Sequence, residues 1–444
     1  MQASACPITQ LPGFLRSYPF RRPESESSNI RPNTFHYAWI IAGAAMLVVL
    51  GGVGLARFAF GMILPLIAND LDLSYRQQGI LGASYFIGYL GIVALMPWLA
   101  PKLGPRRLCV NGLVVVSVGL LAMAFCDTYW TLSAAYLFVG FGSGVAFVGA
   151  MSLPAQWFHP SHRARGAGVA AAGAGVGILF SGLLVPEVSA TFGMASWQLV
   201  WLIFAALNLA FAVVTAMLIR NKPSDLGLEP FGRPRANTHA AGPNSGGVRR
   251  EWRYLAHLGI IYALFAATGL TYTTFVVTTM VDTLSITTAG AGLLWAGVGG
   301  LSIFSGSLFG AVSDRFGHRV GMVSALSAQA LSYTLIAADT GMAGLYGSIM
   351  LFGISAWSMP SIVAAAAGDR LGPQHAAAGF AILTLMFALG QVLGPAGAGM
   401  LADWSGGFSA AYALSAALNV FAIVLCLFLR RRRVEASQLR DELR

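Results

Sequence analysis

The sequence predicts an all-α membrane protein with twelve transmembrane helices, arranged as two six-helix pseudo-repeats around a central cavity. Three observations lead to this fold class. The 444-residue chain is 56% hydrophobic and 10% charged, whereas soluble proteins carry about 25% charged residues. Its apolar residues form long runs, each near the roughly 20 residues that a helix needs to cross a bilayer. One long polar segment divides these runs into two groups of six.

The predicted helices follow one another with short polar connections. Each run is too long and too continuously apolar for the alternating strands of a membrane barrel. The twelve predicted spans are about 38–67, 78–100, 107–126, 130–153, 166–188, 197–219, 254–281, 288–312, 320–338, 342–367, 376–401 and 408–429.

The predicted chain has five parts. Residues 1–35 are polar and lack the apolar core of a secretory signal, so we expect a disordered cytoplasmic tail. Residues 36–219 form the N-terminal six-helix bundle, and residues 254–430 form the C-terminal one. The intervening residues 220–253 are rich in Gly, Pro, Asn and Arg and predict a cytoplasmic linker. Residues 431–444 form a second cytoplasmic tail.

Positive charge is distributed asymmetrically along the chain. All but Arg57 and Arg76 of the 27 Lys and Arg residues lie in the two tails or in the connections after even-numbered spans. Cytoplasmic loops of membrane proteins carry such an excess of Lys and Arg. We therefore expect both termini in the cytoplasm and an integral multi-pass protein of a bacterial inner membrane. The net charge of +10 then reflects topology and does not indicate a nucleic-acid partner.

The sequence shows none of the residue patterns of an enzyme. It has no phosphate-binding loop, and no nucleophile with its base or pair of catalytic carboxylates converges in the pattern. The four cysteines have no metal-ligand spacing and are expected to be ordinary small apolar residues. We therefore expect no catalytic residues, no cofactor and no metal site. The cysteines are Cys6, Cys109, Cys126 and Cys426.

Arg57 lies inside the first apolar run, within the glycine-rich stretch 51–65. An arginine at mid-bilayer costs about 2.5–3.5 kcal/mol even on the insertion scale that charges least, so such a residue is a functional-site hypothesis by default. The alternative is that Arg57 extends to the membrane interface or bonds backbone carbonyls of a broken helix. Residues three and four positions away, such as Phe60 and Gly61, share its helix face.

The second half of the chain repeats the first. Gly54-Leu-Ala-Arg-Phe58 aligns with Gly269-Leu-Thr-Tyr-Thr273, which places Tyr272 opposite Arg57. Transporters built from such repeats bind substrate near the midplane between the halves. An arginine fork in a dry cavity suits a carboxylate. The predicted substrate-binding residues are Arg57, Phe60, Tyr85, Tyr89, Tyr272, Trp295, Trp357 and Gln391. Each of the last six is a residue type that more often packs helices than contacts a ligand.

The segment Gly310-Ala-Val-Ser-Asp-Arg-Phe-Gly-His-Arg319 resembles the loop signature of the major facilitator superfamily, roughly Gly-x-x-x-Asp-Arg-x-Gly-x-Arg. With the twelve spans and the linker, the resemblance covers about residues 35–433. The first-half counterpart, residues 101–107, has proline at the aspartate position, so the resemblance leaves Asp314 alone to hold the gate. The cytoplasmic gate motif that it implies comprises Gly310, Asp314, Arg315, Gly317 and Arg319.

Residues 54–65 are similar to the first helix of the YbfB/YjiJ branch of this superfamily, whose substrates are largely unassigned. The segments Arg163–Gly168 and Pro223–Leu228 are also similar to monocarboxylate and oxalate/formate carriers. Those carriers place substrate cations partly in their second half. Predicted helices 7 to 12 contain no Lys or Arg, so that similarity does not transfer these residues.

We therefore expect a secondary active or facilitative transporter of a small organic anion, with Arg57 as the substrate-binding cation and alternating access as its mechanism. Its expected partners are the bilayer and the substrate, and we expect a monomer. A coupled proton and an exchanged anion are both open, because the seventeen acidic residues lie at helix ends, in loops or in tails. Asp282, at the outer end of predicted helix 7, is the nearest candidate for a proton carrier. The alternative is proton-driven efflux of drugs or other lipophilic compounds.

Overall fold

A computed structural model describes residues 36–159, 162–193, 196–232, 251–371 and 375–429. In these ranges the regular secondary structure is helical, with one isolated backbone bridge between Phe158 and Phe231. Eleven stretches of the described chain are long and apolar enough to cross a membrane. The predicted tails and residues 233–250 of the predicted linker lie outside the described residues.

The helices alternate with short connections, as the hydropathy pattern predicts. The described chain also contains π-helical segments at Leu50–Phe58 and Thr279–Thr283 and a 3₁₀ turn at Pro223–Leu226. The α-helices are α1 (Tyr37–Val49), α2 (Ala59–Asp70), α3 (Tyr75–Met123), α4 (Tyr129–Trp157), α5 (Arg163–Phe192), α6 (Ser196–Leu218), α7 (Trp252–Thr278), α8 (Thr288–Phe316), α9 (His318–Ala337), α10 (Gly341–Ser355), α11 (Ser358–Leu371), α12 (Ala376–Ser405) and α13 (Ser409–Phe428).

The first span is continuous from Tyr37 to Asp70, but its middle third is the π-helical segment 50–58. A π-helix has wider turns than an α-helix and occurs frequently at functional sites. Close packing accompanies this segment, because a Cβ at Gly54 would lie 2.9 Å from the Cα of Gly177 in α5. Arg57 therefore projects from an irregular part of the helix.

Helix α3 covers both the second and the third predicted spans in 49 residues. Its backbone leaves the helical region at Gly104 (φ 72°, ψ 163°), where the sequence predicts a turn. Proline at 101 and 105 interrupts the hydrogen bonding around this point. A Ser74/Gln77 capping box starts the helix, with the Ser74 N–H 2.9 Å from the Gln77 amide oxygen.

The predicted span 342–367 is divided into α10 and α11, a break that the hydropathy pattern does not predict. Pro360 explains it physically, because a proline ring clashes with the carbonyl four residues earlier, here Ala356. The N–H of Trp357, left at the break, donates to the Ser305 hydroxyl at 3.0 Å. Trp357 is thereby fixed between α8 and α11.

Three close helix crossings join the first six predicted spans to the later ones. Gly61 of α2 contacts the backbone carbonyl of Thr273 in α7, and Gly79 of α3 contacts that of Pro395 in α12. A Cβ at Gly182 of α5 would lie 2.5 Å from the carbonyl oxygen of Gly292 in α8. Small residues let helices approach this closely in membranes. The contact between Gly61 and Thr273 brings α2 and α7 together beside the cavity described below.

Two turns that the sequence predicts to be equivalent have similar geometry. Gly104 and Gly317 both have positive φ (72° and 93°) after an apolar helix. The Arg106 guanidinium donates to the Ala216 carbonyl at 2.7 Å, near the end of α6. The Arg319 guanidinium likewise donates to the carbonyl of Leu429 after α13. An arginine that follows each of these turns thus bonds a carbonyl near the end of a later helix, α6 or α13.

Candidate functional site

Arg57 is buried in the protein at 8% exposure. No other Asp, Glu, Lys or Arg side chain is buried among the residues that the structure describes. The structure gives its guanidinium no hydrogen bond and no ion pair with any described residue, and its Nε atom is buried without a partner. Buried charges are ordinarily paired or hydrogen-bonded. This unpaired cation is therefore the strongest candidate for a ligand contact.

Aromatic rings lie against the guanidinium. Its Cζ atom is 4.2 Å from the ring centre of Phe86, 4.4 Å from that of Phe58 and 6.0 Å from that of Tyr85. Desolvated cation–π contacts stabilise a charge by about 2 kcal/mol or more. They offset part of the cost of burying Arg57 but provide no acceptor for its N–H groups, which stay available to an anion.

Arg57 borders a small cavity between α2, α3, α4 and α7. The space that the centre of a water molecule can reach is about 10 Å³, enough for about one water. One side is charged and aromatic, and the side formed by α7 offers neutral hydroxyl groups. The lining residues are Arg57, Phe58, Phe60, Gly61, Gly82, Phe86, Tyr136, Thr273 and Thr274.

Four of the other predicted site residues lie in the aromatic cluster around Arg57, and of these Phe60 also lines the cavity. Phe60 stacks on Tyr136 with ring centres 4.6 Å apart, and Tyr85 lies 5.2 Å from the same ring. Tyr89 follows one turn later, 6.4 Å from Tyr85. Trp357 reaches the cluster from the second half, with its ring 4.6 Å from that of Phe58. The first helices and the α10–α11 break thus meet beside Arg57.

Tyr272 has contacts of a different kind. Its hydroxyl bonds Ser348 at 2.9 Å, and its ring stacks on Phe352 at 4.1 Å, both in α10. Trp295 is fully buried on α8, and Gln391 is buried on α12 at 8% exposure. These three residues are not among those that line the Arg57 cavity. Tyr272, which the predicted repeat aligns with Arg57, therefore joins α7 to α10.

Sequence reasoning did not single out five lining residues, one of which is Gly82 of α3. Phe86 and Tyr136 sit in ordinary apolar runs, and Thr273 and Thr274 are two of several threonines in α7. Phe86 directly follows the predicted site residue Tyr85. Thr273 ends the segment 269–273, which aligns with the segment that contains Arg57. These positions are the only sequence signals for Phe86 and Thr273. Which neighbours reach Arg57 depends on helix rotation, which the glycine crossings set.

The predicted gate motif lies at the end of α8. Gly310 is half-buried, and a Cβ there would meet no atom within 4 Å. Asp314 and Arg315 are exposed, and the structure gives the Asp314 carboxylate no hydrogen bond or ion pair with a described residue. Gly317 makes the turn, and Arg319 caps the chain at Leu429.

A histidine next to the motif was not predicted. His318 Nδ1 lies 2.9 Å from the Ser313 hydroxyl, and its Nε2 lies 2.9 Å from a carboxylate oxygen of Asp369. These bonds join the α8–α9 turn to α11. Among the described residues, no group of three or more His, Cys, Asp or Glu side chains is placed to hold a metal ion.

Comparisons with known proteins point to one class. In sequence, the chain is 24% identical to the hexuronate transporter of Bacillus subtilis, over 83% of this chain and 89% of that protein. It is also 24% identical to a putative tartrate transporter of Agrobacterium vitis, over 87% and 89% respectively. These relatives are transporters and not enzymes.

Solved structures share the fold. A bacterial homologue of the human lysosomal transporter Spinster, in an inward-facing and occupied conformation, matches with a TM-score of 0.69 at 14% identity over 89% of this chain and 97% of its own. The family described as "Uncharacterised MFS-type transporter YbfB" matches residues 48–427. The chain therefore belongs to this family of major facilitator superfamily transporters, the branch that its first helix resembles.

Proposed function

We propose that this protein transports a small organic anion, a carboxylate, across the bacterial inner membrane by alternating access, with Arg57 as the substrate-binding cation. The observation that carries the proposal is the buried, unpaired guanidinium at the cavity wall. The names of the relatives agree with an anion, since they specify hexuronate, tartrate and sulfoacetate.

A carboxylate satisfies the chemistry that Arg57 leaves open. Two parallel N–H···O bonds from a guanidinium fork are about twice as strong as neutral hydrogen bonds. In a site that excludes water, such a pair compensates the lost hydration of both partners. Arg57 thus gains from the substrate the acceptors that no described side chain supplies.

Phe60, Tyr85, Tyr89 and Trp357 form the proposed remainder of the site, because they lie within the aromatic cluster around Arg57. In the proposed cycle, Tyr272, Trp295 and Gln391 contribute when the two halves change their relative position. The small cavity then corresponds to one stage, and the site widens at another.

The proposed topology has twelve spans and cytoplasmic termini. Helix α3 contains 49 residues, about 74 Å at 1.5 Å per residue, more than twice the ~30 Å of a bilayer core. We infer that it crosses twice, turning at Gly104, which adds one span to the eleven. The basic turns at Arg106 and Arg319 then face the cytoplasm, in accordance with the positive-inside rule.

We propose that two halves, residues 36–219 and 254–430, rock against each other about the close helix crossings. One face of α5 carries three glycines at intervals of seven residues, Gly182, Gly175 and Gly168. The first two pack closely on α8, but a Cβ at Gly168 would meet nothing within 4 Å. Helices α5 and α8 therefore separate toward Arg163, which supports an arrangement that is open on the proposed cytoplasmic side.

Proton-driven drug export is the alternative. Such carriers commonly use a membrane-embedded carboxylate, whereas the buried side chains that the structure describes include no Asp or Glu. Asp282 is exposed at the end of the helix 7 span. This observation favours the anion carrier and leaves exchange or symport of the protonated acid as coupling modes.

The test is uptake by proteoliposomes of radiolabelled carboxylates, beside a lipophilic cation, with native protein and an Arg57→Gln variant. We expect carboxylate transport that falls at least about tenfold in Arg57→Gln, because 1.4 kcal/mol of lost binding already gives this factor. Arg76→Gln is the matched control, since Arg76 is exposed. Transport of the cation alone, undiminished in Arg57→Gln, would refute the proposal and favour the exporter.

A further inference from the structure

The charge balance around Arg57 also restricts the substrate. Arg57 carries a single positive charge, and no second Lys, Arg or buried His lies among the residues that line its cavity. The rest of the lining comprises Thr273 and Thr274 of α7, four aromatic residues and two glycines. The site therefore holds one strong anion-binding group and several neutral ones.

We propose that the site selects monoanions, small acids with one carboxylate and an uncharged remainder, and discriminates against dicarboxylates of the same size. This inference rests on the proposed function and specifies its substrate class. A bound monoanion neutralises Arg57. A dicarboxylate would leave one carboxylate in the cavity without a cation, and an unpaired buried charge is strongly unfavourable.

The surroundings of Arg57 direct the uncharged part of the ligand. Phe58 and Phe86 lie against the guanidinium at 4.4 and 4.2 Å, so its open side is the N–H edge. An anion on this edge extends toward Thr274 and Tyr136 across the cavity. Hydroxyl groups and ring edges there bind a hydroxyl, an amide or an apolar group without requiring a second charge.

The experiment compares matched ligands that differ only in charge. Thermal shift and calorimetry on the full-length protein measure the binding of each diacid and its monoamide, at a pH where all carboxyl groups are ionised. The three pairs are succinate and succinamate, glutarate and its monoamide, and phthalate and phthalamate. We expect each monoamide to bind at least about tenfold more tightly than its diacid, a ratio that equals 1.4 kcal/mol. An Arg57→Lys variant keeps the charge but loses the fork, so its affinities should fall while the preference persists.

The outcomes separate the two proposals. Equal or tighter Arg57-dependent binding of the diacids would overturn monoanion selectivity and leave the anion carrier standing. A preference that disappears in Arg57→Lys would assign selectivity to fork geometry and overturn the charge argument. No binding by any acid, or binding that Arg57→Gln leaves unchanged, would overturn the proposed function itself.

Discussion

Gly61→Ala is expected to disrupt the crossing of α2 and α7 beside Arg57. The added Cβ would collide with the backbone carbonyl of Thr273 and lie 3.5 Å from that of Thr274. Backbone atoms cannot rotate away as a side chain does, so the helices must separate. Overpacking of this kind costs about 1–3 kcal/mol, which shifts a two-state equilibrium by about 5- to 150-fold.

Gly43→Ala in α1 is the matched control, because a Cβ at Gly43 meets no atom within 4 Å. Both substitutions gain the same intrinsic helix propensity, up to about 1 kcal/mol, so their difference isolates the collision with α7. The primary measurement is the thermal unfolding midpoint by tryptophan fluorescence. We expect Gly61→Ala to unfold at a clearly lower temperature than Gly43→Ala.

A cysteine reporter distinguishes local separation from global unfolding. In a background without native cysteines, Thr274→Cys lies at the crossing and is 6% exposed as threonine. Its reaction with a small thiol reagent should accelerate about 5- to 150-fold when Gly61→Ala is added, if the crossing opens. Equal midpoints for the two alanine variants and an unchanged reaction rate would refute the packing argument.

Three further predictions concern the helix ends. Trp197→Phe removes the indole N–H that donates to the Asp70 carboxylate at 2.8 Å. We expect this loss to cost about 1.5–3 kcal/mol and to lower the unfolding midpoint. The control Trp130→Phe, at a 77% exposed position, should leave the midpoint unchanged. Asp314→Asn should change stability by less than about 0.5 kcal/mol, because the carboxylate is exposed, yet reduce transport in proteoliposomes. A membrane-impermeant thiol reagent should modify Gly168→Cys rapidly and Ser181→Cys, at a fully buried position, slowly.

Each of these predictions can fail separately. Equal midpoints for the two tryptophan variants would show that the indole–carboxylate bond contributes nothing measurable. A large loss of stability in Asp314→Asn would mean that this carboxylate has a partner in the resting protein. Equal modification of the two cysteines would contradict the separation of α5 and α8 on which the proposed open side depends.

The location of Arg57 in a membrane span was predictable because hydropathy is a local property of sequence. A charged residue within about 20 consecutive apolar residues can be recognised without knowing its neighbours in space. The π-helical geometry of residues 50–58 was not predictable in the same way. It coincides with a close contact between Gly54 and Gly177, residues that are far apart in the chain.

The aromatic site was predicted only in part. Tyr85 and Tyr89 were expected on one face because they are four residues apart, and they do lie together. Tyr136 was missed because it comes from a separate helix. Tyr272 aligns with Arg57 in the predicted repeat, but its hydroxyl bonds Ser348, since aligned positions need not have the same neighbours.

The sequence alone determined that the chain is a helical membrane transporter with one embedded arginine. Span length, charge asymmetry and the Asp314 loop motif are all properties of residues that are near one another in the chain. The tertiary structure decided which side chains surround Arg57, where α10 breaks from α11, and which end of α5 stays close to α8. Those features follow from helix rotation and crossing, which are fixed by contacts between glycines and distant backbone carbonyls and have no signal in local composition.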